Sequence, residues 1–133
     1  MPRKALSKPT DVELAILRVL WARGPSTVRE VHHALVADDP DRDTGYSTTL
    51  KMMQVMLDKG LLVRDEGRRP QVYAPSQPEE QTQRQILKDL LQKVFGGSAR
   101  KLVMRAVESE RISARELSEI RKLLDEQIKG DPQ

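Results

Sequence analysis

The chain has 133 residues, 38% of them apolar, 3% aromatic and 32% charged, with a formal net charge of +3. It contains no cysteine, which excludes disulfides and thiolate metal sites, and Trp21, Tyr46, Tyr73 and Phe95 are too few aromatics to build the base-stacking platforms of RNA or single-strand binders. This length allows one small domain plus an appendage, and the low apolar share makes a partner subunit useful for stability.

Residues 1–10, MPRKALSKPT, carry charge but no apolar run of a signal peptide, and no window approaches the ~18 apolar residues needed to cross a bilayer. The expectation is a cytoplasmic protein with no membrane insertion. The first helix is predicted over 10–22, opened by the capping box Thr10-Asp11-Val12-Glu13, and Trp21 near its end is expected in the core. Gly24-Pro25 breaks it, and Thr27-Val28-Arg29-Glu30 opens a second helix over 27–36.

The loop that follows, Asp38-Asp39-Pro40-Asp41-Arg42-Asp43, is acidic. Asp39, Asp41 and Asp43 match the opening of a calcium loop, but the sixth position is Thr44 rather than Gly and the twelfth is Leu50 rather than Glu, so an ordinary solvated loop is the reading. His32 and His33, on adjacent helical positions about 100° apart, cannot share one metal. No metal and no cofactor is expected.

Residues 46–73 read as one helix running through a Lys59-Gly60 stop into a short hairpin. Tyr46, Leu50, Met53 and Leu57 fall on one stripe, with Thr49 and Met56 at its edge, and Ser47 is the expected N-cap. The opposite face then carries Thr48, Lys51, Met52 and Val55. Leu61-Leu62-Val63 is a strand, Asp65 to Arg69 is polar around Gly67, and Gln71-Val72-Tyr73 returns, with Pro70 confining the return strand to an edge.

Helix, turn, helix, longer loop, helix and hairpin is the order of a winged helix-turn-helix domain, whose third helix enters the major groove of double-stranded DNA while the hairpin flanks it. Groove logic makes Thr48 and Lys51 the first choices for base edges: lysine donates to guanine, and threonine bonds through its hydroxyl or packs on a thymine methyl. Met52 and Val55 offer apolar contacts, Gln54 an adenine or a phosphate contact, and Tyr46 its phenol to the backbone. Arg3, Lys4 and Lys8 in the arm and Arg64, Arg68 and Arg69 on the wing would meet phosphates, while the acids of this half gather in the loop 38–43.

Pro75 and Pro78 mark a change of character, dividing a DNA-binding domain over 1–76 from a helical domain over 77–133. Gly96-Gly97 separates its first two helices, and Ser113-Ala114-Arg115-Glu116 opens the third. Leu87, Leu90, Leu91 and Val94, then Leu102 and Val103, then Leu117, Ile120, Leu123 and Leu124 recur at helical spacing, along with Ile86, Phe95, Ala106, Val107 and Ile128. Three short helices cannot bury them all, so this half is expected to form a homodimer, and two related winged helices would read an inverted repeat. The fold class is therefore mostly α, a winged helix-turn-helix with a small β-hairpin wing followed by a three-helix dimerisation domain.

These residues resemble the penicillinase-repressor family of bacterial winged-helix transcription repressors, the BlaI/MecI type. The resemblance runs through Val19-Leu20-Trp21, Thr27-Val28-Arg29-Glu30-Val31, 46–60 with the hairpin, Val94-Phe95-Gly96-Gly97-Ser98, and Glu116-Leu117 to Leu123-Leu124. It implies a repressor in which Ser47, Thr48, Lys51 and Val55 match DNA-facing positions, Val55 standing where other members carry arginine. The cysteine cluster of copper-responsive relatives is absent. The resemblance also implies a route of induction, cleavage of the C-terminal domain after a membrane sensor protease detects its stimulus. The matching segment is Lys101-Leu102-Val103-Met104-Arg105-Ala106-Val107, with Arg105-Ala106 as the candidate proteolytic site in place of the family's Asn-Phe pair.

Two other function classes differ from this reading in ways that can be tested. No Gly-rich phosphate loop, nucleophile motif or paired His and carboxylate appears, so an enzyme is not expected. A winged helix used for protein–protein contact would tolerate substitution of Lys51 or Arg68 without change in DNA affinity.

Overall fold

The computed structural model of the chain describes residues 8–41 and 45–130. Its elements are α1 (Asp11–Arg23), α2 (Val28–Asp38), α3 (Tyr46–Asp58), β1 (Leu62–Asp65), β2 (Val72–Pro75), α4 (Glu79–Phe95), α5 (Ala99–Ser109) and α6 (Ala114–Gly130). This is the predicted class: three helices, one antiparallel hairpin, then three further helices. Two compact units divide between Ile86 and Leu87, inside the continuous helix α4.

Both predicted capping boxes of the first unit form. Thr10 Oγ1 accepts the Glu13 N–H at 3.2 Å and Glu13 Oε1 accepts the Thr10 N–H at 2.9 Å, with the same distances for Thr27 and Glu30. Such caps satisfy orphan donors of the first turn and stabilise by about 1 kcal/mol each. The start of α3 differs from expectation. Gly45 is its N-cap, in extended conformation (φ −81°, ψ 168°) and without a side-chain bond, and Ser47 already lies within the first turn. Because Tyr46 has entered the helix, the Ser47 hydroxyl is past the point where a cap can act. The end of α3 is a Schellman closure: the Gly60 N–H donates to Leu57 O at 3.1 Å and the Leu61 N–H to Met56 O at 2.9 Å, with Gly60 at φ +84°.

The core of the first unit draws Ile16, Leu17 and Leu20 from α1, Val28, Val31 and Leu35 from α2, Met53 and Met56 from α3, and Leu62 and Tyr73 from the hairpin. Trp21 is half-buried against it, its Nε1 enclosed with no hydrogen-bond partner. The hairpin pairs Leu62 with Pro75 and Asp65 with Val72. As expected from Pro70, β2 is an edge strand of the two-stranded sheet, although one residue outside the sheet reaches its free side. Ser26 bridges Tyr73 on its other side, with N–H···O bonds of 3.0 and 2.8 Å, and Pro70 precedes the strand instead of lying in it. The wing is thereby joined to the α1–α2 turn.

In the second unit, Gly96 and Gly97 close α4 with positive φ, and Ser98, which periodicity had passed over, caps α5 by accepting the Lys101 N–H at 3.1 Å. Ser113 Oγ accepts the Glu116 N–H at 3.0 Å at the start of α6. No described residue of α4, α5 or α6 is buried.

Candidate nucleic-acid interface

Helix α3 is held to the body of the first unit by Thr49, Met53 and Met56, all fully buried, with Leu50, Met52 and Leu57 half-buried beside them. The buried stripe is thus rotated from the one hydrophobicity suggested. Thr49 moves from the edge to the centre because its hydroxyl is satisfied locally, 3.2 Å from His32 Nδ1 and 3.5 Å from Gly45 O. Tyr46 leaves the core, 40% exposed, and packs instead between side chains of α2. The Arg29 guanidinium sits over its ring at 5.1 Å from the centroid, and the His32 ring meets it edge to face at 6.0 Å. An exposed cation–π contact of this kind contributes about 0.5–1 kcal/mol.

This rotation leaves Ser47, Thr48, Lys51, Gln54 and Val55 exposed to solvent; of these, periodicity places Thr48, Lys51 and Val55 on that face, with Gln54 nearer the flank and Ser47 ahead of the helix. Met52 is half-buried on the core, which limits its reach toward a ligand. Two successive exposed turns therefore present a hydroxyl, an ammonium, a carboxamide and an isopropyl group. That is the mixture able to distinguish base edges in a major groove.

On the wing, Arg68 and Arg69 are exposed, but their environments differ. Arg69 Nη1 donates to the backbone oxygens of Glu66 and Arg68, bracing the turn, while Asp65 Oδ1 accepts the Gly67 N–H at 3.0 Å. Arg64 lies opposite Tyr73 in the hairpin, its Nε buried without a partner and its Nη2 3.6 Å from Glu66. A hydrogen bond donated by its guanidinium to the Tyr73 side chain raises the Arg64 pKa. The wing's charges are therefore mixed, with Asp65 and Glu66 engaged at the turn itself. Charge alone assigns all three arginines to phosphates, and Arg68 is the one whose guanidinium is not committed to the hairpin.

Arg29 and His32 are the residues of this surface that sequence reasoning passed over. Their roles depend on contacts across the loop between α2 and α3, for which no local pattern exists. The Glu30 carboxyl beside Arg29 is turned away. The Thr27 N–H holds its pKa below the usual value, with Arg23 and Arg68 adding to the effect. Arg3, Lys4 and Asp43 lie outside the described residues. Among the described residues no three His, Cys, Asp or Glu side chains are grouped to hold a metal ion, and no helix is long and apolar enough to cross a membrane.

Comparison with known proteins gives two concordant findings. The family model for the penicillinase repressor matches residues 9–126. Sequences of the transcriptional regulator BlaI from two Mycobacterium tuberculosis strains, CDC 1551 / Oshkosh and ATCC 25618 / H37Rv, are each 32% identical to this chain over 123 residues. The alignments cover 91% of this chain and 86% of the relatives.

Proposed function

The chain belongs to the penicillinase repressor family of DNA-binding transcriptional repressors, and from that premise we propose that it represses as a homodimer bound to an inverted-repeat operator in double-stranded DNA. It is not an enzyme. The observation that carries the proposal is the division of α3 into a fully buried stripe, Thr49, Met53 and Met56, and an exposed face of Thr48, Lys51, Gln54 and Val55. In this reading Thr48, Lys51 and Val55 meet base edges, Ser47, Tyr46 and Gln54 the flanks, and Arg68 a phosphate.

Dimerisation is supported by the second unit's own surface. Leu87, Leu90, Val94, Val103, Leu117, Leu123 and Leu124 are exposed, and Leu91, Leu102 and Ile120 are only half-buried. Apolar side chains in this number, uncovered along helices with no fully buried residue among those described, are stabilised by a second copy. Pairing also joins two modest half-site affinities through their effective concentration.

Derepression in this reading follows from cleavage between Arg105 and Ala106 by a membrane sensor protease or another protease. That bond lies inside α5, with Arg105 Nη1 2.7 Å from Glu108 and Ser109 Oγ donating to Arg105 O at 2.6 Å, so the segment must unwind locally before it enters a protease cleft. Mass spectrometry of protein from induced cells should yield fragments ending at Arg105; intact protein throughout induction would discard this route.

The operator reading is tested by selecting binding sequences from a randomised duplex pool. The expected product is an inverted repeat with half-site centres about 10 bp or a multiple apart. A pool that enriches no sequence, or a lone unrepeated half-site, would contradict it.

A further inference from the structure

The arginines of the first unit differ in what already engages them. Arg23 lies 3.8 Å from Glu30, Arg64 lies 3.6 Å from Glu66, and Arg69 is bonded to two carbonyls of its own turn. Arg29 is exposed, and among the described residues no carboxylate comes within ion-pair distance of it. Its neighbour Glu30 is taken up by Thr27 and Arg23. What orients Arg29 is the Tyr46 ring at 5.1 Å, and that ring is in turn steadied by His32, whose Nδ1 is 3.2 Å from the buried Thr49 hydroxyl.

A guanidinium stacked on an aromatic face keeps its N–H donors in the plane of the fork, available to a planar or tetrahedral oxyanion. Here the guanidinium carbon lies over the ring of the first residue of α3, so wherever α3 enters a groove, Arg29 is carried to the phosphates at that end of the helix. We propose that Arg29 is a phosphate-binding residue of the DNA interface, contributed by α2 and aimed by Tyr46, with His32 as a positioning residue behind the ring. The inference rests on the reading of α3 as the recognition helix. It gives Tyr46 a second role beyond its own phenol, and it makes the contact independent of base sequence.

The test compares full-length wild type with Arg29→Gln, Arg29→Lys, Tyr46→Leu and the double variant Arg29→Gln/Tyr46→Leu. Affinity is measured by fluorescence anisotropy on a selected duplex and a scrambled one across a salt series, and melting curves verify folding. Arg29→Gln should weaken binding to both duplexes by about tenfold, leave the base preference unchanged and lower the salt slope by about 1. Arg29→Lys keeps the charge but loses the planar fork of donors, so its salt slope should match wild type while affinity falls by about threefold. The double variant should lose less than the product of the single losses, since Tyr46 acts partly through Arg29. Arg29→Gln binding within about twofold of wild type on both duplexes, with the salt slope unchanged, would overturn the inference alone. Wild type with no preference for the selected duplex would overturn the recognition-helix reading, and this inference with it.

Discussion

Lys59 Nζ lies 2.8 Å from Glu13 Oε2, joining the end of α3 to the first turn of α1 across 46 residues of sequence. Glu13 is 1% exposed, and its other oxygen accepts the Thr10 N–H at 2.9 Å. Burial alone would push this carboxyl up. The Lys59 ammonium and the Thr10 N–H outweigh it and hold the pKa below the ordinary 4.5. Lys59 stands next to the Gly60 stop, so the pair fixes the end of the proposed recognition helix against the body of its unit.

Removing the carboxyl leaves a gap beside a lysine that can still turn to water, because the Lys59 side chain is 38% exposed. Glu13→Ala should therefore destabilise the protein by about 2–3 kcal/mol, below the full cost of orphaning a buried charge, and Glu13→Gln by about 1–2 kcal/mol. Urea unfolding at neutral pH checks both. The folded pKa is depressed, so the stabilisation is fully present above the ordinary value near 4.5 and is lost as pH falls through the lower folded value. The wild-type advantage over Glu13→Gln should shrink below about pH 4.5; a constant gap from neutral to acid pH would contradict it.

Two neighbours on α3 should separate stability from recognition. Met53 is fully buried, so Met53→Ala should cost about 2–5 kcal/mol. Val55 is exposed, so Val55→Ala should change stability by less than about 0.5 kcal/mol while shifting the preferred operator bases. Melting temperatures and duplex selection read the two effects separately.

What the sequence made legible, and what it did not, follows from the distance over which each feature acts. The capping boxes at Thr10/Glu13 and Thr27/Glu30 are relations three residues apart and could be read directly, as could the Gly60 stop. The phase of α3 was misjudged because Leu50 and Leu57 outweighed Thr49 on a hydrophobicity pattern, whereas burial of Thr49 depends on His32 and Gly45 oxygen. The same lack of local signal hid Arg29 over Tyr46 and Lys59 on Glu13. Ser26 beside Tyr73 was missed for a related reason, since a one-residue bridge has no alternation to detect.

Lys51 and Arg68 should fail differently. Lys51→Ala should weaken operator binding and relax preference at one or two base pairs, by about 1–3 kcal/mol of discrimination. Arg68→Ala should weaken all duplexes alike and lower the salt slope by about 1. Titrations against single-base operator variants at several salt concentrations distinguish the two.

Leu123 is 61% exposed on α6, so a charge there disturbs little of the packing among the described residues. Leu123→Glu should shift the protein from dimer to monomer in analytical ultracentrifugation and lower operator affinity by about 100-fold through lost effective concentration. The melting of the first unit should be unchanged. A variant that remains dimeric would move the interface away from α6.

Sequence-specific recognition of double-stranded DNA is the central claim, and it is tested most directly by binding of the full chain to the intergenic DNA upstream of its own gene. The measurement is made across a salt series with a nonspecific duplex as control. Salt-sensitive binding at least ~1000-fold tighter than to the control is the expected result. Equal, weak binding to both duplexes would contradict an operator at that site.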